Sequence, residues 1–204
     1  MPFKSMLYTA SFFLFVLMFS QCKNDSKSNT VLSFGGYESQ VKWGEHLITV
    51  GGCGDCHTPK KLTPQGPEDD SSLMLSGHPA QFPLPDIDRS ILESRNMFAS
   101  QTLNFWIGPW GVSFAANLTP DSTGILAWTE EQFFTALRDG YSKGIKTNRK
   151  LLPPMPVQST KHFTDEELKA MFAYLKTIKP VKNAVPQPLP PSGAGSTSAP
   201  PASK

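Results

Sequence analysis

The chain has 204 residues, 39% of them hydrophobic and 18% charged, and a formal net charge of +2. Nothing in so balanced a charge points to nucleic-acid binding. An apolar run from Met6 to Phe19 follows Met1-Pro2-Phe3-Lys4. It is shorter than the ~18 to 20 apolar residues a membrane-spanning helix needs, so residues 1–21 read as a secretory signal peptide. Their removal takes away one charge, that of Lys4. Residues 22–36 read as a polar tether. Residues 38–50 predict a helix with Val41, Leu47, Ile48 and Val50 available to a core. Residues 60–115 read as a long inserted loop, polar and turn-rich up to Leu73 and aromatic from Asn104 to Gly111, of a length that marks functional or mobile segments. A second helix begins at Thr129, whose hydroxyl can cap it while Gln132 returns the bond, and ends near Gly140. A third begins at Thr164 with Glu167 as reciprocal partner and carries Leu168, Met171, Phe172 and Leu175 at helical spacing. Asp165, Glu166 and Glu167 suit the positive end of its dipole. Residues 181–204 are rich in Pro, Ser, Ala and Gly and read as a disordered tail. That leaves one domain, residues 37–180, of about 145 residues, a size that supports a single core.

The most informative segment is Cys53-Gly54-Asp55-Cys56-His57. Two thiols three positions apart can add across the two vinyl groups of a porphyrin, and His57 then supplies an imidazole nitrogen to the iron. This is the attachment signature of one covalently bound haem c. The competing readings are half a zinc site, which needs a second ligand pair, and a thioredoxin-like dithiol, which expects a preceding strand and a βαβ context. The only other cysteine, Cys22, lies far upstream, directly after the apolar leader. Two thiols committed to haem leave Cys22 unpaired in an exported chain. Its place is that of the lipid-modified cysteine of a bacterial lipoprotein, although Phe19-Ser20-Gln21 departs from the small residues usual before it. Ordinary signal cleavage nearby is the alternative.

With the haem motif in view, further stretches resemble class I cytochromes c, in particular bacterial single-haem domains like the cytochrome subunits of periplasmic dehydrogenases. These are Trp43-Gly44-Glu45-His46-Leu47, Gly51-Gly52 before the motif and Thr58-Pro59 after it. Downstream lie Asn117-Leu118-Thr119-Pro120-Asp121, Pro153-Pro154-Met155-Pro156 and Ala173-Tyr174-Leu175-Lys176. The resemblance implies an all-α class I cytochrome c fold with one haem and a long insertion between the haem motif and the methionine loop. It also implies that the first and last helices cross closely at Gly44 and Tyr174. A glycine that costs about 1 kcal/mol in a helix interior is consistent with such a packing gain.

Candidates for the second axial ligand are Met74, His78, Met97, Met155, His162 and Met171. Met171 sits amid Leu168, Phe172 and Leu175, where packing is the expected task, and His162 precedes a helix cap. Met74 and His78 are competitive because haem accepts sulfur or imidazole. Met155 leads. Pro153, Pro154 and Pro156 restrict its backbone, and the resemblance makes this the methionine ligand loop. In the insertion, Trp106, Trp110 and Phe114 read as a hydrophobic wall shielding the haem, or as a docking surface. Lys143, Lys146, Arg149 and Lys150 read as a solvated loop, or as charges that steer an acidic partner.

These readings predict an electron carrier with no catalytic site, its two axial positions filled by His57 and Met155. It would pass one electron at a time between redox proteins, with a dehydrogenase as donor and another cytochrome or oxidase as acceptor. Its place would be exported, on the periplasmic side of a bacterial membrane or at the cell surface, held by lipid at Cys22. A haem enzyme of peroxidase or oxidase type, and a haem-based sensor or ligand-binding module, are the alternatives.

Overall fold

Local capping chemistry sets the helices that surround the core. The computed structural model describes residues 33–95 and 97–193; the leader, Cys22 and residues 194–204 lie outside them. Helix α1, Gln40–Val50, starts at Ser39, whose side chain accepts a hydrogen bond from the Lys42 N–H. It buries Gly44, Leu47 and Ile48. Val50, expected to face the core, is 64% exposed; at about 100° per residue it points almost opposite Ile48. Helix α2, Cys53–His57, follows after a left-handed Gly52.

The middle of the chain overturns the all-α expectation. Among the described residues there are six α-helices and two antiparallel sheets, so the chain is mixed α and β. Strands β1, Lys60–Thr63, and β2, Gly66–Asp69, pair across Pro64-Gln65. Lys60 forms an ion pair with Asp69, and Lys61 with Asp70 at 3.1 Å. Helix α3, Arg89–Ser94, precedes β3, Phe98–Ala99, β4, Phe105–Gly108, and β5, Gly111–Phe114, which form a three-stranded sheet in that order. The physical reason lies in residue type. Phe105-Trp106-Ile107 and Val112-Ser113-Phe114 are rich in aromatic and β-branched residues that fit a pleated surface, and a two-residue turn joins them. Phe105, Ile107 and Val112 form a second small core with Leu84, Ile87, Leu92 and Phe114 around it. What reads as one irregular loop is a folded lobe with its own buried centre.

The remaining helices are α4, Glu130–Asp139, α5, Val157–Thr160, and α6, Asp165–Leu175. Helices α4 and α6 both begin with a complete capping box, at Thr129–Gln132 and Thr164–Glu167. α4 closes at Gly140. The main core gathers Leu47, Ile48, Phe133, Leu137, Leu168, Met171 and Leu175, with α1 and α6 packed most extensively against each other. At their crossing Gly44 meets the Ala170 carbonyl and the Tyr174 side chain, as the resemblance implies.

The proline-rich segment expected to open a disordered tail instead lies along the domain as far as Ser192. The Asn183 amide donates to the carbonyls of Ser76 at 2.7 Å and His78 at 2.9 Å, and its oxygen accepts the Ala80 N–H at 2.9 Å. Leu189 forms a bridge with Val112. Farther on, the Glu93 carboxylate accepts both the backbone N–H and the hydroxyl of Ser192. Composition mispredicts this strap because its hold comes from side-chain amides and backbone groups, which need little apolar burial.

Candidate functional site

Two short segments position the haem-motif residues from behind. Residues 75–78 run beside α2: the Gly77 N–H donates to the His57 carbonyl at 2.7 Å, and the Leu75 N–H to the Thr58 hydroxyl at 3.1 Å. On their other side, the His78 N–H donates to the Ala115 carbonyl and the Leu118 N–H to the Leu75 carbonyl, both at 2.9 Å. Gly77 has φ +80°, and a Cβ there would come within 2.5 Å of the Ala115 carbonyl oxygen. Both its conformation and its surroundings demand glycine.

This scaffold fixes the His57 ring. Nδ1 lies 2.8 Å from the Ala116 carbonyl oxygen. A carbonyl can only accept, so Nδ1 carries the proton and Nε2 keeps its lone pair. Burial pushes the imidazole pKa below its ordinary value, with the Ala116 contact pulling partly the other way. A neutral ring with one nitrogen tied to a carbonyl is the form that ligates a metal. Cys53 and Cys56 are free thiols and partly buried. Burial pushes the Cys53 pKa up to about 11, and Cys56 is raised for the same leading reason, with Lys60 opposing. Thiols so held are protonated at neutral pH, unlike the activated thiolate of a redox dithiol. Among the described residues no group of three His, Cys, Asp or Glu side chains forms a metal-holding cluster, as a zinc site would require.

The sixth-ligand candidates differ in their surroundings. Met155 and Cys53 both pack against the main core while remaining partly accessible. His78 is buried, and both ring nitrogens are engaged: Nδ1 with the Asn104 side-chain oxygen at 3.1 Å and Nε2 with the Phe82 carbonyl at 3.0 Å. Its ring lies against Phe105 and Phe114. It belongs to the interior of the inserted lobe. Met74 and Met97 are 40% and 53% exposed, His162 is exposed, and Met171 is sealed in the core. Trp106 is buried and Trp110 and Phe114 partly so, which makes them structural parts of the insertion. The basic run is partly neutralised locally: Lys146 pairs with Asp139 at 3.6 Å, and Lys150 donates to the Asp139 carbonyl while lying over the Tyr141 ring. As a donor set, two protonated thiols, an imidazole with a free Nε2 and a thioether suit a covalently held haem c.

No protein-family model matches the chain. Among curated proteins, the fructose dehydrogenase cytochrome subunit of Gluconobacter japonicus is 38% identical over 81 residues, covering 39% of this chain and 16% of that protein. The gluconate 2-dehydrogenase cytochrome c subunit of Pantoea cypripedii is 29% identical over 159 residues, which are 74% of this chain and 27% of that protein. The chain resembles dehydrogenase cytochrome c subunits. A third relative, the cytochrome c subunit of the quinone-dependent alcohol dehydrogenase of Gluconacetobacter polyoxogenes, is 38% identical over 82 residues, or 39% of this chain and 17% of that protein. This cytochrome-like chain thus spans well under two thirds of each of these relatives.

The supporting residues of this cytochrome-like site escape the sequence reading. Ala116 acts through a backbone carbonyl, for which its side chain gives no signal. Asn117, in a motif read only for its order, accepts the N–H and hydroxyl of Thr119 and donates to the Val181 carbonyl. Gly77 carries a usable signal, a glycine immediately before a candidate ligand histidine.

Proposed function

We propose that the chain is a single-haem c-type cytochrome that carries one electron at a time, with Cys53 and Cys56 as the covalent anchors and His57 and Met155 as the axial ligands. The observation that carries this reading is the His57 ring, held through Nδ1 by Ala116 in the tautomer that leaves Nε2 for iron. Haem c bound here supplies an iron that changes oxidation state by one electron. The protein's part is to keep both axial positions filled so that oxidation and reduction demand little rearrangement. Likeness to dehydrogenase cytochrome subunits favours a dehydrogenase as donor and another cytochrome or an oxidase as acceptor.

The test is expression in a host with c-type maturation machinery, followed by optical spectra in both oxidation states. Oxidised protein is expected to show the weak sulfur-to-iron band at the red end of the visible spectrum. Met155→Ala is expected to abolish that band, lower the reduction potential and admit carbon monoxide to the reduced iron. His78→Ala is expected to keep the band. A wild-type protein without it, or a Met155→Ala variant that retains it, refutes the assignment of Met155.

The same reading places the chain outside the cytoplasm, lipid-anchored at Cys22 on the periplasmic side of the membrane. No helix among the described residues is long and apolar enough to cross a membrane. One acyl chain gives only weak, reversible binding, and two or more give stable anchoring. Intact-mass analysis is expected to find a mature chain beginning at an acylated Cys22; an unmodified N-terminus elsewhere excludes the anchor.

A further inference from the structure

Resting on the reading of Met155 as the sixth ligand, we infer that Ser113 is a positioning residue for that ligand, through which the inserted sheet holds the methionine loop. The loop itself has few means of attachment. Pro153, Pro154 and Pro156 have no N–H to donate. The Met155 N–H turns back to Leu152 at 3.2 Å, and the Met155 carbonyl accepts from Val157 at 2.9 Å, so both bonds stay within the loop. The flanks of the loop are tied to the end of α4, through the Leu151 N–H to the Gly140 carbonyl and the Thr160 hydroxyl to the Leu137 carbonyl, both at 2.7 Å. Between them, among the described residues, one hydrogen bond reaches residues 152–159 from elsewhere in the fold: the Ser113 hydroxyl donates to the Pro153 carbonyl at 2.6 Å.

The polarity of that bond is fixed on both sides. The Trp110 indole N–H, which can only donate, reaches the Ser113 oxygen at 3.2 Å. The hydroxyl proton is therefore directed to Pro153, whose carbonyl can only accept. Ser113 is 6% exposed, so water does not readily replace it. It sits on β5 beside the fully buried Val112, which fixes its backbone. Three residues on, the same segment supplies the Ala116 carbonyl that orients His57. One short run of chain thus touches the supports of both axial ligands.

A thioether binds iron weakly, so the cost of ordering its loop decides how often it lets go. Losing one hydrogen bond of ordinary net worth raises the ligand-off population on the order of three- to ten-fold. The experiment compares Ser113→Thr and Ser113→Val in the holoprotein. They have nearly the same shape and add the same crowding, and only threonine keeps the hydroxyl. Imidazole, titrated into the oxidised protein as a competitor for the sixth position, is followed by loss of the sulfur-to-iron band. Ser113→Val is expected to bind imidazole about three- to ten-fold more tightly than Ser113→Thr, with a lower reduction potential, while Ser113→Thr stays near wild type. Equal imidazole affinities and potentials in the two variants, with the wild-type band present, overturn this inference alone. A wild type that lacks the band overturns both this inference and the Met155 assignment beneath it.

Discussion

Chains carrying Cys53→Ser and Cys56→Ser together are expected to lose haem stain completely on denaturing gels, while wild type retains one haem per chain. A hydroxyl does not add to a porphyrin vinyl as a thiol does, so the double variant has no covalent anchor. His57 alone would hold haem only by an axial bond, which denaturant breaks. Each single variant keeps one thioether and is expected to stain, at reduced yield. That comparison separates loss of attachment from loss of protein, because a general folding failure would remove stain from the singles as well. Persistent stain in the double variant rules out the motif as the attachment point. The partly buried, protonated state of Cys53, with a pKa of about 11, suits this role. Such a thiol resists stray oxidation and exchange until it is used.

Gly44→Val is expected to cost at least ~3 kcal/mol of stability, at the upper end of what overpacking does and a large share of the ~5–15 kcal/mol a domain has. Two effects oppose each other here. Replacing a helical glycine gains something under 1 kcal/mol in propensity, less for valine than for alanine. Against it, a Cβ at residue 44 would lie 1.9 Å from the Ala170 carbonyl oxygen and 2.9 Å from the Tyr174 Cβ. The first contact is with backbone inside α6 and cannot be relieved by a rotamer change; the two helices must separate. Denaturant unfolding followed by helical circular dichroism decides the sign. A Gly44→Val midpoint equal to or above wild type means that the α1–α6 crossing is looser than described. Gly44→Ala is expected to fall between the two, because it removes the helix penalty without adding the valine methyls.

The parts of the molecule legible in the sequence are those governed by neighbours a few residues apart. Thr129 with Gln132 and Thr164 with Glu167 announce two helix starts because a capping box closes over three residues. The haem motif is equally local, and Leu168, Met171 and Leu175 show their burial through helical spacing. What escapes depends on partners far along the chain. Ser113 and Pro153 are 40 residues apart, His57 and Ala116 are 59, and Asn183 reaches back 107 to Ser76. No period in the sequence reports such pairings. The inserted sheet escapes for a different reason. The aromatic residues 105–114 carry a strand signal, but the resemblance to small cytochromes offers no place for a sheet, so the segment reads as loop.

The strap that ends at Ser192 also orders events in time. Asn183 emerges from the ribosome after the segments it fastens, since its partners Ser76, His78 and Ala80 lie more than a hundred residues earlier. Closing so long a span carries an entropic cost, which postpones the contact until much of the molecule is in place. Until then the backbone around Gly77 and Ala115, which backs the His57 ring, keeps its bonds to α2 and to residues 115–118 but lacks the three that Asn183 adds. On the proposed reading of Cys53 and Cys56 as haem anchors, attachment within that interval would meet a softer chain than the finished protein, with the strap left to close afterwards.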